Sequence, residues 1–253
     1  MKRNFFNDEK LHRSDFNLEA NIMSYERILA LDSEEYNSCP FHWECESCSK
    51  CLCLRIIGIA DLPSAYGRFK IVAFENNKDK KDHIAVVKGD VVGKEDVLTR
   101  LHSACLTGDA LGSMRCDCGA QLETSLYLIE REGLGLLLYM QQEGRGIGLA
   151  NKIRAYMLQD GGLDTYDANV HLGFQPDERD YELSAAMIKK LGVKSVRLLT
   201  NNPEKIEGLK RYEVEVSGRE PLEMEPTDFD RYYLETKRRR FGHMLSLNDP
   251  VEE

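Results

Sequence analysis

The sequence predicts an α/β fold, a mixed α+β sheet with flanking helices, and two observations carry that expectation. Three stretches with helical periodicity each stop at glycine: about Asp117 to Glu132 before Gly133, about Leu149 to Gln159 before Gly161 and Gly162, and about Glu182 to Leu191 before Gly192. The first and third are followed closely by apolar strands, Leu134 to Met140 and Val193 to Thr200. A sheet with helices laid across it is the arrangement that buries such strands and the apolar stripe of each helix together.

Taken in order, the elements begin with a polar segment, residues 1–54, in which one helix is expected near Asn21 to Leu31. This extension closes on the cysteine-rich string CPFHWECESCSKCLC. The main domain is expected over 55–245, with 246–253 as a tail. FKIVAF (Phe69 to Phe74), HIAVVKG (His83 to Gly89) and VLTRLHSACL (Val97 to Leu106) read as strands. Leu122, Leu126 and Ile129 recur at helical spacing in the helix that ends at Gly133. LLTNNPEKIEGL reads as strand end, turn and helix. After Glu220 the chain turns polar, with EPTDFD as a loop and YYLETKRRRFGHML as a last helix. No internal repeat is present.

Bulk properties narrow the function class. Charged residues make up 30% and hydrophobic residues 42% of the 253, as in an ordinary globular protein. The formal net charge of -9 repels a phosphate backbone, so no nucleic-acid partner is expected, although a local basic pocket can still hold a small anion. Arg238 to Arg240 lie beside acids in an expected helix and read as a solvated face. Met1 to Lys10 has no apolar core, and no apolar run approaches the roughly 20 residues that cross a bilayer. A cytoplasmic protein with no membrane partner is expected.

Cysteine spacing is more informative. Cys105, Cys116 and Cys118 form C-x10-C-x-C. Three soft thiolates favour zinc over magnesium or calcium, and three protein ligands rather than four leave a position open for water, the pattern of a hydrolytic site. The alternative is that they are buried small hydrophobes. Cys39, Cys45, Cys48, Cys51 and Cys53 form a second group, in which four cysteines, or three with His42, would suit a structural zinc. An iron-sulfur cluster and unmetallated thiols are the other readings of that group.

Two glycine-rich turns offer anion sites. In QQEGRGIGLANKIRAY, Glu143, Gly144, Arg145, Gly146 and Gly148 stand between a strand end and a helix start, where backbone amides and the helix dipole can hold phosphate. Arg145 adds a forked, permanently charged donor. A plain tight turn is the alternative. Thr200 and Lys205 occupy a similar place in LLTNNPEKIEGL, where the lysine also reads as an ordinary surface residue. Glu143 is a carboxylate of the kind that accepts two adjacent N–H donors of a heterocyclic base, or is a surface acid. Asp177, Glu178, Arg179 and Asp180 in GFQPDERDY read by themselves as a solvated loop.

Four strings in order, RLHSACLTGDALGSMRCDCGAQLE, LLYMQQEGRGIGLANKIRAYMLQDGGLDT, ANVHLGFQPDERDY and LLTNNPEKIEGL, closely resemble the GTP cyclohydrolase II family of riboflavin biosynthesis, over about Arg55 to Leu245. The resemblance implies zinc on Cys105, Cys116 and Cys118. It implies GTP contacts at Arg100, Leu101, His102, Ser103, Gln121, Glu143, Gly144, Arg145, Thr165, Thr200 and Lys205; Ala104 replaces a frequent acid and supplies no such side chain. Asp177 matches the family's proton acceptor, Arg179 its assigned nucleophile and Tyr156 a tyrosine needed for turnover. Arginine is a poor nucleophile because it is cationic, so stabilisation of phosphoryl charge is the other role open to Arg179. The implied reaction opens guanine at C8 with loss of formate and releases pyrophosphate, with magnesium on the triphosphate. A homodimer is implied as well. Two rival readings stay open: a nucleotide-binding homologue without full turnover, and a zinc-stabilised interaction protein.

Overall fold

Strands β1 (Leu54–Ser64), β2 (Gly67–Asn76), β3 (His83–Lys88), β4 (Val97–Ser103), β5 (Gly135–Met140), β6 (Ser195–Leu199) and β7 (Glu215–Glu220) form a single sheet in the computed structural model, which describes residues 26–28, 30 and 52–247. Their spatial order is β1-β2-β3-β5-β4-β6-β7. The β1, β2, β3 and β5 neighbours pair antiparallel, whereas β5, β4, β6 and β7 are parallel. The expected mixed sheet with flanking helices is therefore present. Its helices are α1 (Leu106–Asp109), α2 (Cys118–Glu132), α3 (Leu149–Asp160), α4 (Thr165–His171), α5 (Glu182–Lys190), α6 (Pro203–Arg211) and α7 (Arg231–Phe241), with a 3-10 turn at Glu143–Gly146.

Alternation along the central strands buries both faces of the sheet. Leu136, Leu138 and Met140 of β5 join Val72, Phe74, Leu183, Met187 and Leu209 on one face. Leu137 points the other way and joins Phe69, Val86, Leu98 and Ile129, against which Leu122 and Leu126 of α2 pack. An apolar strand buried on both sides is what parallel pairing under helices demands. Helix α2 ends as its sequence predicts: Gly133 is left-handed at φ 76° and donates to the carbonyls of Glu130 and Ile129. Helix α6 begins with Asn202, whose side chain accepts from the Glu204 amide, followed by Pro203 in the first turn.

The structure departs from the sequence reading at several ends. The strand expected to run to Leu106 stops at Ser103, because the Cys105 amide turns to Asp109 Oδ2 (3.0 Å) and the Leu106 amide to Glu143 Oε2 (2.7 Å). The last helix stops at Phe241 rather than continuing to Leu245: Gly242 takes a left-handed φ of 65°, and the Met244 amide folds back onto the Asn201 carbonyl at 2.8 Å. Edge strands β1 and β7 and helices α1 and α4 were not expected. Strand β1 carries a register shift between Ile56 and Gly58, and β7 is half-buried to exposed with a polar sequence, so neither has a clean apolar period. Residues 26–28 and 30 are helical, within the helix expected there, and Ile28 is buried in the core of the sheet. No helix among the described residues is long and apolar enough to cross a membrane.

Leu138 is fully buried in the middle of the sheet. Leu138→Ala is expected to cost about 2–5 kcal/mol through lost burial and a residual cavity. The fall in urea midpoint at unchanged slope measures it.

Candidate active site

Parallel strands present their carboxyl ends on a common edge, and β5 and β6 lie on opposite sides of β4. The chain leaving β4 crosses to one neighbour, and the chain leaving that neighbour crosses to the other. The crevice outside such a switch point is where open α/β sheets bind ligands. Here it is walled by Ala104 and Cys105 after β4, by Gln142 to Arg145 after β5 and by Thr200 to Asn202 after β6. Arg100 and His102 share the Leu98 face of β4, towards α2, and line the same crevice.

The three cysteines converge at one end. Their sulfurs lie within 4.8 Å of one another, and Cys105 Sγ is 3.7 Å from Cys116 Sγ. Two glycines make this approach possible. A Cβ on Gly108 would meet Cys116 Sγ and Cys118 Cβ at 3.1 Å and Cys105 Sγ at 3.2 Å, and one on Gly119 would fall 2.4 Å from the Gly108 carbonyl oxygen. Cys116 and Cys118 hold the Cys105 thiol far below its ordinary value by hydrogen bonding, helped by Lys152. Its partners move the other way: Cys105 pushes Cys116 up to about 11, and Cys118 also rises. Three thiolates cannot share so small a space without a cation among them, so the donor set fits a soft divalent metal.

Lys152 ties this group to the neighbouring turn. Its Nζ donates to Glu143 Oε1 at 2.7 Å and to Thr107 Oγ1 at 3.0 Å, and lies 3.1 Å from Cys105 Sγ. Glu143 is thus held on both oxygens, Oε2 by the Leu106 amide, though each keeps further acceptor capacity. The Tyr156 hydroxyl lies 3.3 Å from Thr107 Oγ1, beside the thiols. His102 Nε2 lies 3.0 Å from Asp109, which also accepts from Tyr139 (2.8 Å) and the Cys105 amide (3.0 Å). Asp109 therefore fixes the loop that carries the first thiol.

Cations dominate the rest. The lining holds Arg100, Arg115, Arg145, Lys152, Arg179, Lys205 and Lys237 against the single carboxylate Glu143, in a chain whose net charge is -9. Arg100 reaches the Leu199 carbonyl (3.0 Å) and Gln121, and its Nε is buried without a partner. Burial lowers its pKa to about 10 despite Asp117. Lys205 donates to the Leu101 carbonyl at 2.6 Å and is driven well below an ordinary lysine by burial, then by Arg100 and Arg179. Arg145, left-handed at φ 59°, stacks 3.8 Å from the Phe241 ring centroid and leaves Nη1 buried without a partner. Such crowding of like charge marks a place built for a polyanion.

Asp177 and Arg179, read from sequence as part of a solvated loop, are drawn in: Arg179 Nε donates to Asp177 Oδ1 at 2.9 Å, and the guanidinium lines the crevice. Burial opposes both charges, but their attraction outweighs it, so the carboxylate is lowered and, with Tyr181, the guanidinium raised. Ser103, Gln121, Gly144, Thr165 and Thr200 also line the crevice, whereas Leu101 turns its side chain into the core and meets the site only through its carbonyl. Cys39, Cys45, Cys48 and Cys51 lie outside the described residues, as does His42; Cys53 pairs through its backbone with Asn77. Sequence reasoning passed over Lys152, Arg115, Tyr233, Lys237 and His243, all of which line the crevice. A lysine inside a helix reads as exposed unless tertiary contacts are known.

Residues 55–221 match the GTP cyclohydrolase II family. The chain belongs to that family. Among its relatives are the riboflavin biosynthesis proteins RibBA of Bacillus mycoides, 56% identical over 186 residues (74% of this chain, 47% of the relative), and of Chlorobium phaeovibrioides, 53% identical over 189 residues (75% and 46%). RibBA of a Synechocystis species is 53% identical over 192 residues, covering 75% of this chain and 34% of the relative. The chain thus spans about half the length, or less, of these curated relatives. A two-domain 3,4-dihydroxy-2-butanone 4-phosphate synthase, RibBX of A. baumannii, overlays 83% of this chain and 50% of its own at 15% identity and a TM-score of 0.37, too distant a likeness to bear on the site.

The glycine contact in this GTP cyclohydrolase II-family site is testable. Gly119→Ala is expected to push the start of α2 away from Gly108 and spread the thiols. Metal bound per chain, measured by plasma emission spectrometry after dialysis, should fall well below that of the unaltered protein.

Proposed function

We propose that the chain is a GTP cyclohydrolase II enzyme. It takes GTP, opens the five-membered ring of guanine with release of formate, and releases pyrophosphate, leaving the diaminopyrimidinone ribosyl phosphate at the start of riboflavin synthesis. One observation carries this reading: a thiol triplet fit for a soft metal and a crowd of seven cations share one crevice. A nucleoside triphosphate has a base to be hydrolysed and four negative charges to be held, which matches those two halves.

Cys105, Cys116 and Cys118 would hold the zinc, which would supply Lewis acidity and lower the pKa of water towards neutral. The protein's own groups do the rest. Glu143, fixed by Lys152 and the Leu106 amide, offers its remaining lone pairs to the guanine N–H edge. Tyr156, whose phenol is raised by burial, stays protonated and serves as a donor beside the thiols. Arg100, Arg145 and Lys205 neutralise the triphosphate, with Gln121, Thr165 and Thr200 as neutral partners and Gly144 giving close backbone approach. Asp177 orients Arg179 and keeps its proton in place. A cationic guanidinium lacks a nucleophilic lone pair, so the ion pair favours charge stabilisation over covalent attack by Arg179.

Magnesium enters this scheme on the triphosphate oxygens, which are hard ligands. The catalytic unit is taken as 55–245, an extent supported by the return of Met244 to Asn201. Homodimeric assembly is carried over from the family resemblance, and a cytoplasmic location from the sequence, in which no apolar run approaches membrane-crossing length.

Incubation of the zinc-loaded protein with GTP and magnesium is expected to yield formate, pyrophosphate and the pyrimidine together. Cys116→Ser should abolish formate; formate at the unaltered rate would sink the metal's role. Arg179→Met should lower the rate of pyrophosphate release about 10²–10³-fold, the usual loss on removing a transition-state charge donor. A pH effect follows from Lys205. Its pKa is depressed in the free protein by burial and then by Arg100 and Arg179, and the negative charge of a triphosphate raises it, so binding takes up a proton. Affinity should therefore fall as pH rises between that depressed value and an ordinary lysine's. Calorimetry of a non-hydrolysable GTP analogue in buffers of different ionisation enthalpy reads the uptake directly.

A further inference from the structure

Helix α7 begins at Arg231, beyond the residues matched by the family, yet it sends a buried ammonium to the metal-binding loop. Lys237 Nζ donates to Asp117 Oδ1 at 2.6 Å, with the two side chains 9% and 2% exposed. Asp117 stands between Cys116 and Cys118 and precedes the first turn of α2. Its other oxygen accepts from Gln121 Nε2 at 2.6 Å, and Gln121 in turn accepts from Arg100. The Tyr233 ring covers the ammonium at 4.4 Å.

A buried ion pair of this kind is a poor source of net stability, because desolvation offsets most of the attraction. It does impose geometry. Removing the cation alone leaves a buried carboxylate that must take a proton or turn towards water, and the thiols on either side of it are bound to move with it. We propose that Lys237 is a positioning residue: through Asp117 it sets the placement of Cys116 and Cys118 for the metal and, through Gln121, the placement of Arg100 for the triphosphate. This rests on the metal reading above, and makes the C-terminal helix part of the site.

The test uses the full chain, stripped of metal and titrated with cobalt(II), whose thiolate charge-transfer band reports both affinity and sulfur geometry. Circular dichroism is recorded in parallel to confirm folding. Lys237→Met is expected to bind cobalt about ten- to a hundred-fold more weakly, with a displaced band, as losses in a metal's outer shell do. Asp117→Asn should weaken binding too. The double variant Asp117→Asn with Lys237→Met buries no charge and should recover part of the loss, so it remains informative even if one single variant fails to fold. Wild-type affinity and band in Lys237→Met, or strictly additive losses in the double variant, would overturn the proposal. An unaltered protein that binds no cobalt through thiolate would overturn the metal reading and this inference together.

Discussion

Because β4 is hydrogen-bonded in parallel to β5 on one side and β6 on the other, three carboxyl ends reach one sheet edge, and the site hangs from them. The first thiol, the glutamate-arginine turn and the threonine-asparagine turn each follow one of these strands directly. Helix α2 then delivers two more thiols to the same edge, since it starts there and packs back over β2, β4 and β5. Such placement needs little from the loops themselves: their ends are fixed by the ladder, and only a few residues span each gap.

That economy has an electrostatic cost. Burial first, and then the neighbouring cations, depress Lys205 and Arg100, and the fold restrains these two with backbone carbonyls rather than with acids. Arg100 leans on the Leu199 carbonyl and Lys205 on that of Leu101, so each is oriented without an acid as its partner. A carbonyl aims a cation while leaving its net charge free to meet an anion. Arg179, Lys152 and Lys237 are held differently, each by an acid: Asp177, Glu143 and Asp117 in turn.

The central strands and the principal helices were legible in the sequence because their signals are local: an apolar run such as Leu134 to Met140, or Leu122, Leu126 and Ile129 stopped by Gly133. The thiol triplet was legible through spacing. Strand β7 was not, because an edge strand needs no apolar alternation, and Glu215 to Glu220 has none. Nor were Lys152 and Lys237, since the partners that bury them come from distant parts of the chain. Asp177 and Arg179 looked like solvent-facing charges when read alone; resemblance to the family marked them, and the fold explains how a loop of charges comes to lie inside.

Under the proposed function, the crowding around Lys205 carries a consequence for discrimination among nucleotides. Each phosphate that enters relieves repulsion between cations that are already fixed, so the gain grows with the number of charges delivered rather than with the number of atoms touched. A site of this design would rank mono-, di- and triphosphates by charge count, before any contact distinguishes one terminal oxygen from another. Salt in the surrounding solution dulls such ranking little, because buried charges are screened far less than exposed ones.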